Sequence, residues 1–231
     1  MTAYFKPQSG RCSQRQAQIQ KEQAAILYVD TQNFNCHSEG AEMRVLLQDD
    51  SQEMDYFKKR MQIALPNWQK LKAACSRADI QKIFTVIESL TQDGRERSLD
   101  YKLSGFHVPK GSWDGQVLDE IRPGENDIVI PKGSSSVFIS TNITYILRCL
   151  GVSQLMICGC VTDQCVEHAV RDGCDSNFLI TLITDATATY SEERQQAAER
   201  AMSGYCRKRT TQEVIDEILP QQSPHGLQVG A

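Results

Sequence analysis

No apolar run in the 231-residue chain comes near the roughly 20 residues of a transmembrane helix, so no membrane span is expected. Excess positive charge is missing as well. The 25 Lys and Arg stand against 29 Asp and Glu, a formal net charge of -4, which leaves no basic footprint for nucleic acid. The opening stretch, MTAYFKPQSGRCSQRQAQIQKEQ, is polar and lacks the apolar centre of a secretory leader. Neither G-x-G-x-x-G nor a P-loop occurs, which argues against a nucleotide site, and no internal repeat or low-complexity linker is visible. What the chain does have is thiol: 9 cysteines at irregular spacing. An odd count without a leader reads as reduced thiols in a cytoplasmic protein rather than a disulfide framework.

The length suits one domain with a full core, 23–219, preceded by a loose arm at 1–22 and followed by a flexible tail at 220–231. A helical piece is expected in the arm around 14–23. Within the domain, apolar β-prone runs alternate with helical periodicity. AAILYV (24–29) is a buried strand ending at Asp30, and TQNFNCHSEGA after it reads as a polar loop. Helical spacing of Met54, Phe57, Met61, Ala64, Trp68, Leu71 and Ala74 spans 51–77, with Pro66 expected to kink or interrupt it. IQKIFTVI (80–87) is a second strand, and a long polar segment follows it over 88–115. Further strands are expected at 127–130, 155–161 and 178–183, with helices at 142–150, 191–202 and 210–219. This alternation predicts a three-layer α/β/α domain around a mostly parallel sheet.

One stretch stands out, MICGCVTDQCVEHAVRDG at 156–173. It reads as a strand, a tight turn with Thr162 and Asp163 as helix cap, and a helix burying Val166, Ala169 and Val170. Cys165 falls in the first helical turn, where unpaired N–H groups and the positive end of the helix dipole favour an exposed, activated thiolate. It is equally readable as a buried inert thiol, or as part of a zinc or redox site with Cys158, Cys160 and His168. Asp30 and Lys132 also stand at carboxyl ends of expected strands, the edge where open α/β sheets gather their chemistry. A thiol nucleophile needs a base to take its proton, which Asp30 supplies, and a cation beside the thiolate, which Lys132 supplies.

The run VDTQN at 29–33, IPK at 130–132 and GCVTDQCV at 159–166 resemble, in order and interval, the isochorismatase-like cysteine hydrolases, over about 24–207. The resemblance implies an Asp30, Lys132 and Cys165 triad, a cis peptide at Cys160–Val161, and an oxyanion hole from the N–H groups of Val161 and Cys165. Nicotinamidase relatives carry Asp-x-His and a further His after the second strand to hold a metal. Here that place holds Glu88 and SLTQDGRERSLDY, so no metal and no cofactor are expected. The stretch GSWDGQVLDEIRPGENDIVIPK is similar to ureidoacrylate and biuret amidohydrolases, and less closely to carbamoylsarcosine amidohydrolases. The implied reaction is C–N hydrolysis of a small linear amide or ureido compound through a thioester, by a homodimer or homotetramer. Rival readings are a scaffold that keeps the fold without turnover, and a hydrolase of nicotinamide-like or isochorismate-like substrates.

Around the triad, Gln32 and Asn33 are candidates to hydrogen-bond a substrate amide, and Phe34 to line the entrance. Arg95 and Arg97 are candidates to clamp a carboxylate, because a guanidinium fork matches that partner. Tyr101 is a candidate pocket wall. The competing reading of each is local: a polar loop, a solvated charge, or packing.

Overall fold

The computed structural model describes residues 14–48 and 52–219. The tail at 220–231 and the first part of the arm, 1–13, lie outside the described residues. Within 14–23 there is no regular α-helix, only a turn and a 3-10 turn at Lys21–Gln23. Ile19 is buried there, its amide donates to the Glu217 carboxylate at 3.1 Å, and the Gln20 amide donates to the Gln154 side chain at 2.6 Å. Those partners lie more than a hundred residues away in sequence, and they fix the segment without helical bonds.

In chain order the elements are β1 Ala24–Val29, α1 Asn33–Cys36, α2 Ala41–Leu46, α3 Gln52–Arg77, β2 Gln81–Ile87, α4 Leu99–Leu103, β3 Ile128–Lys132, α5 Val137–Ser140, α6 Ile143–Cys149, β4 Gln154–Cys160, a π-helical turn Thr162–Val166, α7 Glu167–Asp175, β5 Leu179–Ala188, α8 Glu192–Met202, β6 Cys206–Arg209 and α9 Thr211–Ile218. The strands form one parallel sheet in the order β3-β2-β1-β4-β5-β6. Successive β1 residues point to opposite faces, and all six are buried. Ile26 and Tyr28 join one core with α3 and α9, while Leu27 and Val29 join the other with α6, α7 and α8. Burial on both faces is why this strand reads as a continuous apolar run.

Helix α3 runs unbroken through Pro66. A mid-helix proline costs about 3 kcal/mol. Along α3, Phe57, Ala64, Trp68 and Leu71 are wholly buried, and large apolar side chains contribute roughly 1.5–3 kcal/mol each. Packing therefore outweighs the local penalty. Polar bonds also fasten α3 to β5: the Trp68 indole donates to the Ala186 carbonyl at 2.8 Å, and Arg60 donates to the carbonyls of Thr184 and Thr187. The stretch after β1, expected as a loop, folds into α1 and α2 with Asn33, Phe34, Asn35 and Met43 buried.

The chain leaves β1 toward β2 and β3, then returns to place β4 on the other side of β1. The carboxyl ends of β1 and β4 thus flank the topological switch point, the crevice where open α/β sheets bind ligands. Asp30 follows β1 directly and Cys165 lies just past β4. At this level the two strands touch backbone to backbone. Gly159 has φ +124°, and a Cβ there would sit 2.1 Å from the Val29 carbonyl oxygen.

Candidate active site

Asp30 adopts a left-handed backbone conformation, φ 51°, as the chain turns off β1. Thr85 on neighbouring β2 holds it twice. The Thr85 hydroxyl donates to Asp30 Oδ1 at 2.8 Å, and the Asp30 amide donates to the Thr85 carbonyl at 3.1 Å. Lys132 closes β3, two strands from β1, and its long side chain reaches back across β2. Its Nζ lies 2.9 Å from Asp30 Oδ2, and it donates to the Ser134 carbonyl at 2.9 Å, the Tyr101 hydroxyl at 3.1 Å and Cys165 Sγ at 3.4 Å. The side chains of Lys132 and Asp30 are both 0% exposed. Apart from the Lys132 ammonium, no donor meets Asp30 Oδ2 among the described residues, so a lone pair remains for another proton.

Burial pushes the Cys165 thiol up to about 12; Lys132 pulls it down and Asp30 pushes it up. Burial alone would lower the Lys132 amine, but Asp30, Cys165 and Tyr101 more than offset this and hold it above its ordinary value. Burial thus favours the neutral thiol of Cys165, while its neighbours favour the charged amine of Lys132. Tyr101 is buried, with its hydroxyl 3.8 Å from Cys165 Sγ, and burial keeps it a phenol.

Two expectations about the nucleophile turn are corrected. Cys165 is buried rather than exposed. Thr162 and Asp163 do not cap a helix: the Thr162 hydroxyl donates to Gln195 at 2.7 Å, and the Asp163 carboxylate accepts from Thr189 and, at 2.6 Å, from Arg194. The turn is π-helical. The Val161 carbonyl accepts from the amides of Gln164 and Val166, passing over the Cys165 amide between them. The Cys160–Val161 peptide is cis.

The surrounding candidates divide. Gln32 is fully buried; its Oε1 accepts the Ile87 amide at 2.5 Å, and its Nε2 donates to the carbonyls of Ile87 and Asp114. This side chain clamps loops and has no donor left for a substrate. Asn33 donates to the Trp113 carbonyl. Arg97 donates to the carbonyls of Gly94 and Phe106, bracing its own loop, and Arg95 is 77% exposed with Asp93 at 3.9 Å. The expected carboxylate clamp is therefore not assembled. His168 is exposed with its ring against the Gln164 carbonyl, Cys158 is fully buried, and Cys160 Sγ lies 3.8 Å from Cys36 Sγ. The zinc or redox grouping with Cys165 does not come together.

A cavity of about 570 Å³ lies in the same part of the molecule, with none of Asp30, Lys132 and Cys165 in its wall. Phe34 and Phe106 form part of its wall, and Phe106 packs edge-on against Tyr101 at 5.4 Å. One aromatic ring thus separates the cavity from the group touching Cys165 Sγ. Its polar wall includes Glu42 and Tyr190, which the sequence reading missed, as it missed Thr85. Thr85 carried a signal, a polar residue inside the apolar run IFTVI; Glu42, just past the stretch expected as a loop, carried none.

A model of the isochorismatase domain matches residues 24–214. Among curated proteins, ureidoacrylate amidohydrolase RutB of Azorhizobium caulinodans is 37% identical over 97 residues, 42% of this chain and 43% of that protein. The aligned stretch thus spans less than half the length of this relative. Among solved structures, a cysteine hydrolase from Pseudomonas syringae pv. phaseolicola superposes with TM-score 0.75 at 23% identity, covering 87% of this chain and 95% of that one. N-carbamoylsarcosine amidase from Thermoplasma acidophilum gives 0.63 at 24% identity, covering 82% and 96%. At these identities both likenesses speak for the fold.

Proposed function

The chain belongs to the isochorismatase family of hydrolases, and from that premise we propose that it is a cysteine amidohydrolase cleaving the C–N bond of a small amide or ureido compound. The observation that carries this is the meeting of a carboxylate, an ammonium and a thiol, from three distant strand ends, around a single Nζ with 2.9 Å to Asp30 and 3.4 Å to Cys165. The amidohydrolase and amidase names among its relatives favour the same bond class.

Cys165 Sγ attacks the substrate carbonyl carbon while its proton passes to Asp30. Transfer accompanies attack, since burial favours the protonated thiol. Lys132 stabilises the negative charge as it forms on sulfur and fixes Asp30. The carbonyl oxygen, now carrying the charge, is held by the N–H groups of Val161 and Cys165. Asp30 returns the proton to the leaving nitrogen, the C–N bond breaks, and ammonia or an amine departs from a thioester. Water, losing a proton to Asp30, then cleaves the thioester, releasing acid or carbamate and restoring the thiol.

The test is ammonia release across biuret, ureido acids, carbamoyl amino acids and nicotinamide, with intact-protein mass spectrometry for an acyl adduct. Release by the wild type, an adduct on Cys165, and loss of both in Cys165→Ala are expected. Full activity in Cys165→Ala would refute the mechanism. A folded protein giving neither adduct nor ammonia across the panel would refute the enzyme reading in favour of a scaffold.

A further inference from the structure

The cavity lined by Phe34 and Phe106 carries a carboxylate that is paired with no cation among the described residues. Glu42, on α2, faces the cavity and accepts one hydrogen bond, from the Tyr190 hydroxyl at 3.2 Å. Among the described residues it has no salt-bridge partner. The cavity's guanidinium, Arg194, makes no salt bridge to Glu42; its Nε lies 2.6 Å from Asp163 Oδ2 and its Cζ 5.1 Å from the centre of the Tyr190 ring. His107 also lines the wall, but its Nε2 lies against Gly94 and has no hydrogen-bond partner among the described residues. Phe34, Val45, Leu46, Met54 and Phe106 make the rest of the wall largely apolar. Arg95 and Arg97, expected to clamp a substrate carboxylate, are outside the lining, Arg97 bonded to its own loop and Arg95 exposed to solvent.

A carboxylate keeps two oxygens and about four acceptor sites, of which Tyr190 fills one. A ligand with an apolar body and an N–H donor at its far end satisfies the remainder; a ligand ending in a carboxylate meets repulsion and a desolvated anion. We propose that Glu42 is the specificity-determining residue of this enzyme. It selects amides or ureas whose end remote from the scissile bond carries an N–H donor, an ammonium above all, and it disfavours substrates ending in a carboxylate. The proposal rests on the reading of Cys165 as the nucleophile and places the remote end of the substrate in the Glu42 cavity. Burial pushes the Glu42 carboxyl up to about 7, consistent with an acid whose charge lacks a partner until a donor arrives.

The experiment uses three amides of matched length: butanamide, 4-aminobutanamide and succinamic acid. For the wild type, kcat/KM is expected to fall in the order ammonium, neutral, carboxylate, with about 10- to 100-fold between the ends, the size of one charge-assisted hydrogen bond. Glu42→Gln should shrink that span to less than about threefold. Tyr190→Phe, which leaves the carboxylate in place, should keep the order. A wild type that prefers succinamic acid, or an order unchanged in Glu42→Gln, overturns the proposal. A second arm needs no turnover. Binding of butylammonium and butyrate by calorimetry to wild type and Glu42→Gln should favour butylammonium only when Glu42 is present. If no amide in any panel is hydrolysed, the amidohydrolase reading falls, and this arm still decides Glu42: equal binding of the two ions by the wild type overturns it.

Discussion

Lys132→Met separates stability from chemistry at one buried charge. The native ammonium and the Asp30 carboxylate are 2.9 Å apart with neither side chain exposed. Replacing the amine with a thioether of similar length leaves Asp30 buried with the Thr85 hydroxyl and no cation. Breaking one half of a buried pair costs about 3–5 kcal/mol, which for a domain of this size lowers Tm by roughly 6–20 °C. The mutant carboxyl escapes part of that cost by staying protonated, so its folded pKa rises above the unfolded value of about 3.9. A carboxyl raised in the folded state favours folding at low pH and loses that advantage as pH rises, so the deficit should be smaller at pH 5 than at pH 8. Adding Asp30→Asn removes the stranded charge, and the double variant should recover most of the lost stability. Neither variant should release ammonia above about 10⁻³ of the wild-type rate, since proton transfer and thiolate stabilisation are both lost. Thermal and urea melts at pH 5 and 8, run beside the ammonia assay, read all three quantities. A Lys132→Met protein within 1 kcal/mol of wild type, or a double variant no more stable than the single, would refute the view that this pair is dry and mutually dependent.

Thr85→Val removes a hydroxyl that orients Asp30 Oδ1 at 2.8 Å; it should cost about 1–3 kcal/mol in urea melts and lower kcat about tenfold or more with KM little changed. Gly159→Ala drives a Cβ to 2.1 Å from the Val29 carbonyl at φ +124° and should abolish a cooperative melt, whereas Gly124→Ala, whose Cβ would meet Asp127 at 3.5 Å, should shift stability by less than about 1 kcal/mol. Butylammonium binding should weaken as pH falls through about 7, because a bound cation favours the ionised Glu42 carboxylate, and should be flat above that range. The groups facing Glu42 are Tyr190, Arg194 with its partner Asp163, His107 across the cavity, and the Asp30 charge behind it. The same titration in Glu42→Gln should show no such dependence, and calorimetry at pH 5.5 to 8.5 checks both.

Local pattern carried the architecture because the forces behind it are local in period. A strand buried on both faces must be apolar throughout, as 24–29 is, and a long core helix must repeat its apolar residues every three to four positions, as 52–77 does. Asp30, Lys132 and Cys165 were legible for a related reason: each ends or follows an apolar run, and parallel strands bring such ends to one edge. The order of the strands followed from neither rule, yet it is what sets β4 beside β1 and lets Lys132 reach across β2 to both partners.

Loop side chains were legible only in type. Gln32 and Arg97 looked like substrate donors because their groups suit that work. Gln32 instead meets Ile87, 55 residues away, while Arg97 braces carbonyls of its own loop. Glu42 drew no reading from its own stretch, and it was folding that faced it with Tyr190, 148 residues distant. Composition and periodicity determined the main strands and long helices and which groups stand at their ends. Long-range contact decided which of those groups are saturated by backbone and which face an open cavity, because hydrogen-bond partners so far apart in sequence leave no local trace.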